Sequence, residues 1–132
     1  MKIVIDANIF ISSFFWGGNP RMVFDRVING LDSLFITDKI LNEIAEVMLR
    51  DKFALENHKV KEYIKIIENH SIKIYHDENI EKVSRDSDDN KILKCALEGK
   101  VDFIITGDND LLVLKEYKNI KIIDPKKYLD NR

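Results

Sequence analysis

The chain has 132 residues, of which 45% are apolar, and this is enough to build the core of one folded domain. Its formal net charge of -2 excludes a strongly basic domain that would hold nucleic acid by charge alone. The single cysteine excludes an internal disulfide, and no apolar stretch reaches the ~18 residues of a membrane span. Because no signal-like segment is present either, we expect a single domain over residues 1–132 in the cytoplasm, without a membrane partner.

Short Ile-rich strands alternate with amphipathic helices along the chain. In chain order, the pattern predicts a strand at KIVI (2–5), a helix that begins near Pro20, a strand at SLFIT (33–37), a helix from Asp38 to about Lys52, a helix around Val60 to Ile67, a strand at IKIY (72–75), a helix from Asp86 to Gly99, and strands at DFIIT (102–106) and IKII (120–123). Strands separated by helices pair in parallel through right-handed crossovers. We therefore expect an α/β fold with three layers, in which helices cover both faces of a central parallel sheet of four to five strands.

Acidic residues follow two of the predicted strands. Asp6 comes directly after the first strand, and Asp108 and Asp110 follow the fourth strand within the sequence TGDND. The C-terminal ends of parallel strands share one edge of a sheet, where α/β proteins bind their ligands. We expect these carboxylates to lie close together.

Two further acids lie on predicted helices that reach the same edge. Glu43 projects about 100° from the centre of its apolar stripe and can border the core, whereas Glu46 points away from it. Asp89 precedes Ile92 by three residues and Leu93 by four, so it lies on the apolar stripe in the first helical turn. The expected cluster contains one acid from each of four separate segments of the chain: Asp6, Glu43, Asp89 and Asp108.

Converging carboxylates without cations among them repel one another, and a divalent metal ion removes this conflict. Oxygen ligands favour hard ions such as Mg²⁺. Four or five acids can hold one ion, or two ions at the ~4 Å separation of two-metal phosphodiester chemistry. The arrangement predicts hydrolysis of a phosphodiester bond.

Each acid also has an ordinary structural interpretation. Asp6 suits a turn, Asp108 and Asp110 suit a turn that contains glycine, Glu43 suits a solvated helix edge, and Asp89 suits a helix cap, as do Asp86 and Asp88. Turn and cap preferences do not explain why all of them fall on one edge, which favours a common site. The aromatic run Phe14 to Trp16 indicates packing in the core or against a partner rather than stacking on bases.

Four stretches, IDANIFIS, LNEIAEV, RDSDDNKILKCALEGKVDFIITGDNDLL and IKIIDPKKYL, resemble the PIN-domain family, in particular its branch of toxins from toxin–antitoxin pairs. The most specific part is the order Asp-x-Asn, Glu, Asp and Thr-x-Asp. The resemblance implies that Asp6, Glu43, Asp89 and Asp108 bind metal, that Asn8 and Thr106 are supporting polar residues, and that Asp110 assists. Asp88 directly precedes Asp89 and competes for the third position, where the helical phase favours Asp89.

The resemblance further implies Mg²⁺- or Mn²⁺-dependent cleavage of single-stranded RNA, a homodimer, and a protein antitoxin as partner. Without the five acids of the expected site the remaining residues carry a net charge of +3, which permits RNA binding. A phosphoacceptor receiver domain shares the α/β order, but it needs a pair of acids after the first strand, an Asp after the third and a Lys after the fifth. The match is poor, because His76 and Asp77 follow the third strand and Lys126 stands after Pro125. The remaining alternative is a non-catalytic module that keeps the fold and binds RNA or protein.

Overall fold

A computed structural model of the chain describes residues 1–75 and 87–131, except for the side chains of residues 87–90. The strands are β1 (Lys2–Ile5), β2 (Ser33–Ile36), β3 (Ser71–Lys73), β4 (Phe103–Ile105), β5 (Glu116–Tyr117) and β6 (Ile120–Ile123). The helices are α1 (Ala7–Phe15), α2 (Gly18–Ile28), α3 (Asp38–Met48), α4 (Asn57–Asn69), α5 (Ser87–Gly99), α6 (Asn109–Leu112) and α7 (Pro125–Asp130), with a 3-10 turn at Asp51–Phe53.

These strands form one sheet in the order β3-β2-β1-β4-β6-β5. All neighbours pair in parallel except β5, which is antiparallel to β6. In β1, Ile3, Val4 and Ile5 are all buried, so the helices cover both faces of the sheet. The predicted α/β class with a central parallel sheet is confirmed. The sheet has one strand more than predicted, because Glu116 and Tyr117 form a hairpin with the start of β6.

Helix α5 packs against β1, β2 and β4, and its apolar side chains Ile92, Leu93, Cys95 and Ala96 are buried. At its end, a Cβ on Gly99 would lie 3.0 Å from Ile74 and 3.1 Å from the ring of Phe35. The left-handed residue after the helix is Lys100, with a φ of 50°. Glycine at position 99 therefore lets the end of α5 pack tightly against Phe35 and Ile74.

The aromatic run at the end of α1 packs mainly within the fold. Phe14 and Phe15 are partly buried, and the ring of Phe15 stacks on that of Phe53 with centroids 4.7 Å apart. Trp16 is 72% exposed. The predicted core packing thus holds for the two phenylalanines, and for the exposed Trp16 the alternative of packing against a partner stays a prediction.

The five parallel strands end at one edge of the sheet, called here the carboxyl edge. Ile5 pairs with Ile105, and Ile105 pairs with Ile123, so Asp6, Thr106 and Asp124 follow three adjacent strands at the same level. The order of the strands therefore brings together segments that are far apart in sequence. No helix in the described part of the chain has the length and hydropathy needed to cross a membrane.

Candidate active site

Asp6 stands where β1 changes directly into α1. Its backbone N–H donates to the carbonyl of Ile105 at 3.0 Å, so the pairing of the sheet continues through this residue. Its extended backbone, with φ -65° and ψ 147°, places it at the N-cap of α1, yet its side chain makes no capping hydrogen bond. Asp6 is only 8% exposed. A carboxylate that is buried and does not cap the helix is poorly explained by turn formation.

Thr106 binds this carboxylate from the neighbouring strand. It is fully buried, and its hydroxyl donates to Oδ2 of Asp6 at 2.7 Å. The same hydroxyl oxygen accepts the backbone N–H of Asp108 at 3.0 Å. Because that N–H is a donor, the single proton of the hydroxyl is directed to Asp6. Thr106 thus fixes the orientation of Asp6 and ties the loop after β4 to it.

Asp108 serves both as a helix cap and as a second carboxylate near Asp6. Its Oδ1 accepts the backbone N–H of Asp110 at 2.9 Å and caps the short helix α6. A carboxylate has two oxygens, so this cap does not use the whole group. Asp110 is exposed in the first turn of α6. The capping interpretation of Asp108 is therefore correct for one of its oxygens.

Burial raises the pKa of Asp6, and the negative charge of Asp108 raises it further. The hydrogen bond from Thr106 and the amides of Ala7 and Asn8 act in the opposite direction, but burial outweighs them. Among the described residues, no cationic side chain forms an ion pair with Asp6. The ionised form of Asp6 is consequently destabilised unless a positive charge is added.

Glu43 lies on α3 with 19% of its side chain exposed, and its Oε1 is 3.7 Å from Nζ of Lys91 on α5. This contact places Glu43 against the early turns of α5, the helix that carries Asp89. The expectation of carboxylates without cations among them is therefore wrong at Glu43. Lys91 escaped the sequence analysis because only acids were followed along that helix, although it lies two residues after Asp89.

Several predicted positions lie outside the described residues. These are the side chains of Asp88 and Asp89, together with Asp86, His76 and Asp77. The backbone shows that α5 starts at Ser87, so Asp89 belongs to its first turn as predicted. Which of the two neighbouring aspartates is directed to Asp6 stays a prediction. Asn8 lies in the first turn of α1 and is exposed.

Among the side chains that the structure describes, no group of three or more His, Cys, Asp or Glu is arranged to hold a metal ion. The pair formed by Asp6 and Asp108 nevertheless fits a divalent cation as part of a ligand set. Both residues offer carboxylate oxygens, the ligand type of hard ions, and the charge of Asp108 raises the pKa of Asp6. A cation would relieve the penalty that burial and repulsion impose on Asp6.

Comparison with known proteins places this chain in a family. The protein-family model described as the PIN domain matches residues 2–110 of this chain. The uncharacterized protein MJ1680 of Methanocaldococcus jannaschii is 29% identical, over 98% of this chain and 90% of that protein. A chain in the crystal structure of VapBC2 from Rickettsia felis, bound to a DNA fragment from their promoter, shares the fold, with a TM-score of 0.64 and 11% identity over 92% of this chain and 97% of that chain. This chain belongs to the PIN-domain family.

Proposed function

We propose that this chain is a Mg²⁺- or Mn²⁺-dependent endoribonuclease that hydrolyses phosphodiester bonds in single-stranded RNA, and that it is the toxin of a toxin–antitoxin pair. PIN domains are generally nucleases, and the family assignment supports this reaction class. The observation that carries the proposal is the hydrogen-bonded connection from Asp6 through Thr106 to Asp108 at the carboxyl edge. In this arrangement the buried carboxylate of Asp6, which has no ion-pair partner among the described residues, lies near the carboxylate of Asp108.

In this proposal Asp6, Glu43, Asp89 and Asp108 hold the metal, and Asp110 assists. The bound metal supplies an activated water and stabilises the leaving oxygen of the phosphodiester. Thr106 keeps Asp6 in one orientation, and its burial keeps water away from their hydrogen bond. Asn8 offers an exposed amide next to Asp6 that can hold the adjacent loop or a water molecule.

Lys91 has a distinct part in this arrangement. Its ammonium group neutralises some of the charge of Glu43, since the two groups approach to 3.7 Å. The cluster can therefore assemble during folding with less repulsion than four unpaired carboxylates would produce. Because the pair is partly exposed, Lys91 can also release Glu43 when a metal enters.

The role as a toxin rests on the likeness of the sequence to the toxin branch of the family. We propose a protein antitoxin and a homodimer on the same basis. The VapBC2 complex contains DNA from a promoter, and at 11% identity it supports the common fold only. A gene for a small DNA-binding protein directly beside the gene of this chain would support the pairing. Growth arrest on expression, relieved by that neighbour and by Asp6→Asn, would test it.

The alternative is a non-catalytic PIN-fold module that binds RNA or protein. One observation favours it, namely that Lys91 already supplies a cation to Glu43 and so reduces the need for a metal. An assay with fluorescent single-stranded RNA separates the two functions. We expect cleavage in Mg²⁺ or Mn²⁺ that a chelator abolishes, and equal cleavage by the exposed control variant Asp51→Asn. Binding of RNA without cleavage at any metal concentration would establish the module instead.

A further inference from the structure

Basic residues are concentrated at the C-terminal end of the chain. Residues 115–132 contain six basic and three acidic residues, a net charge of +3, whereas residues 1–114 carry a net charge of -5. The described part of this segment forms β5, β6 and α7, and β6 pairs directly with β4. The fold therefore places the basic end of the chain beside the strand that leads to Thr106 and Asp108.

A cleft of about 300 Å³ opens in this segment and is called here the lysine cleft. Its lining consists of Leu112, Lys115, Ile122, Ile123, Asp124 and Lys127. Its volume lies at the lower end of the range for ligand pockets in proteins. Two ammonium groups and one carboxylate give it a positive net charge, in contrast to the carboxylates next to it.

The backbone at both lysines is held in place. The N–H of Lys115 donates to the carbonyl of Leu112 at 3.1 Å, and the carbonyl of Lys115 accepts the N–H of Ile122 at 3.0 Å. The N–H of Lys127 donates to Oδ1 of Asp124 at 2.8 Å. Neither ammonium group forms an ion pair with any carboxylate among the described side chains. Both positive charges are thus available to a ligand.

The lysine cleft lies along the same edge as the candidate active site. The N–H of Thr106 donates to the carbonyl of Ile123 at 3.0 Å, and Asp124 follows Ile123 directly. Asp6 and Asp124 therefore follow strands that are two positions apart in the sheet, which corresponds to about 10 Å. A polyanion bound at Asp6 and Asp108 can reach the cleft by running along the carboxyl edge.

We propose that the lysine cleft binds a backbone phosphate of the RNA strand, at a linkage other than the one that is cut. This inference rests on the proposed function, because it assigns the cleft to the same substrate. Lysine binds phosphate as a point charge, and two such charges on fixed backbone suit one phosphate group. The cleft attracts the strand that the carboxylates repel, and it aligns the strand with the site.

The test measures binding of a single-stranded oligoribonucleotide to the wild type in chelator at several salt concentrations. Loss of one phosphate contact lowers the slope of log K against log salt by roughly 0.7. We expect this decrease in the double variant Lys115→Gln, Lys127→Gln. The control is Lys118→Gln, which removes one positive charge of the same segment at the opposite end of β6, where its ammonium lies 5.4 Å from the ring centroid of Tyr117. Its slope should equal that of the wild type.

A second arm locates the phosphate in the strand. Linkages of the RNA are replaced one at a time by neutral methylphosphonates. At one linkage other than the one that is cut, this replacement should weaken binding to the wild type and leave binding to the double variant unchanged. This result identifies a phosphate of the strand, whereas competition by free inorganic phosphate with no sensitive linkage would contradict it. Equal melting temperatures of both variants confirm that the fold is intact.

The outcomes separate this inference from the proposed function. A wild type that binds no single-stranded RNA, with or without Mg²⁺, would overturn the proposed function together with the cleft. A wild type that binds and cleaves RNA, with the same salt slope in the double variant and in Lys118→Gln, would overturn the role of the cleft alone.

Discussion

The hydroxyl of Thr106 donates to Oδ2 of Asp6 at 2.7 Å, and the two residues are 100 positions apart in the chain. This contact joins the ends of β1 and β4, which are neighbours in the sheet. It is the only side-chain hydrogen bond to the Asp6 carboxylate among the described residues. The orientation of Asp6 therefore depends on this hydroxyl together with the adjacent backbone amides of Ala7 and Asn8.

Replacing that hydroxyl should affect both stability and cleavage. Thr106→Val leaves the N–H of Asp108 without its acceptor and Asp6 without its donor, so we expect a loss of about 1–3 kcal/mol in the free energy of unfolding. Cleavage of RNA should fall because Asp6 loses its orientation. Thr106→Ser keeps the hydroxyl and should retain most of both properties. Urea unfolding and a cleavage assay on the two variants measure the difference. Equal behaviour of valine and serine would show that the hydroxyl is not needed.

Metal binding should stabilise the native state. A ligand that binds only the folded chain at ten times its Kd adds about 1.4 kcal/mol, so Mg²⁺ or Mn²⁺ should raise Tm by a few degrees. In Asp6→Asn the increase should be much smaller. Thermal melts with metal and with chelator give the comparison. Identical wild-type curves at millimolar metal would count against a preformed site.

In chelator, Asp6→Asn should be more stable than the wild type at neutral pH. The pKa of Asp6 is raised by burial, so the folded state favours the protonated form and loses stability as pH rises through the folded pKa. Asparagine keeps the size and an acceptor for Thr106 but carries no charge. The advantage of the variant should disappear below the pKa of the unfolded carboxyl, about 3.9. Urea unfolding at neutral and acidic pH measures this trend.

Asp32 should stabilise the fold at neutral pH and lose this effect at acidic pH, which is the opposite of the trend for Asp6. It is 5% exposed, and Nε of Arg26 lies 2.9 Å from its Oδ2. Burial alone would raise the pKa of Asp32, but Arg26 and Tyr128 together lower it. A lowered pKa means stability that is present above the unfolded pKa and lost as pH falls through the folded pKa. We expect Asp32→Asn to cost about 2 kcal/mol at pH ~7, with a smaller difference below pH ~4.

The matched control for Asp32 lies in the same region of the chain. Asp25 pairs with Arg21 one turn earlier on α2, at 3.3 Å, and both side chains are largely exposed. An exposed pair of this kind contributes about 0.3–0.5 kcal/mol at most. Asp25→Asn should therefore unfold nearly as the wild type does. Equal losses in the two variants would show that burial of the Asp32 pair has no special effect.

The helix that begins at Ser87 allows a ligand to be distinguished from a cap. Asp89→Asn should abolish cleavage with little loss of stability, because it removes a metal ligand. Asp86→Ala should cost up to about 1 kcal/mol as a lost cap and leave most activity intact. Asp88→Asn tests the neighbouring candidate. Loss of cleavage in Asp88→Asn, with normal activity in Asp89→Asn, would move the third ligand by one residue.

Much of the fold could be predicted because β1, β2, β4 and β6 contain buried apolar residues, and four of its helices have one apolar face. Helix α1 escaped prediction because its residues are apolar on most sides, with Ala7, Ile9, Phe10, Ile11 and Ser13 buried. A helix that is buried on most of its sides has only a narrow polar face, so its helical period is weak. Helices α6 and α7 contain four and six residues and are too short for a periodic signal.

The candidate site was predictable where it depends on the strands. Asp6 and Asp108 follow parallel neighbours, and topology alone brings them to one edge. The contact between Glu43 and Lys91 was not predictable, because it depends on how α3 packs against α5. The lysine cleft was missed for a similar reason. Lys115 directly precedes β5 and Lys127 lies in α7, and the hairpin of β5 and β6 brings them together.

The most direct test of Asp6 as a metal ligand compares the wild type with Asp6→Asn. The measurement is a time course of single-stranded RNA cleavage over a titration of Mg²⁺ and Mn²⁺, with circular dichroism to show that both proteins are folded. If Asp6 is a metal ligand, the variant is folded and its metal-dependent cleavage rate falls by orders of magnitude. A rate equal to that of the wild type at every metal concentration would contradict the account and make Asp6 an ordinary residue of the junction between β1 and α1.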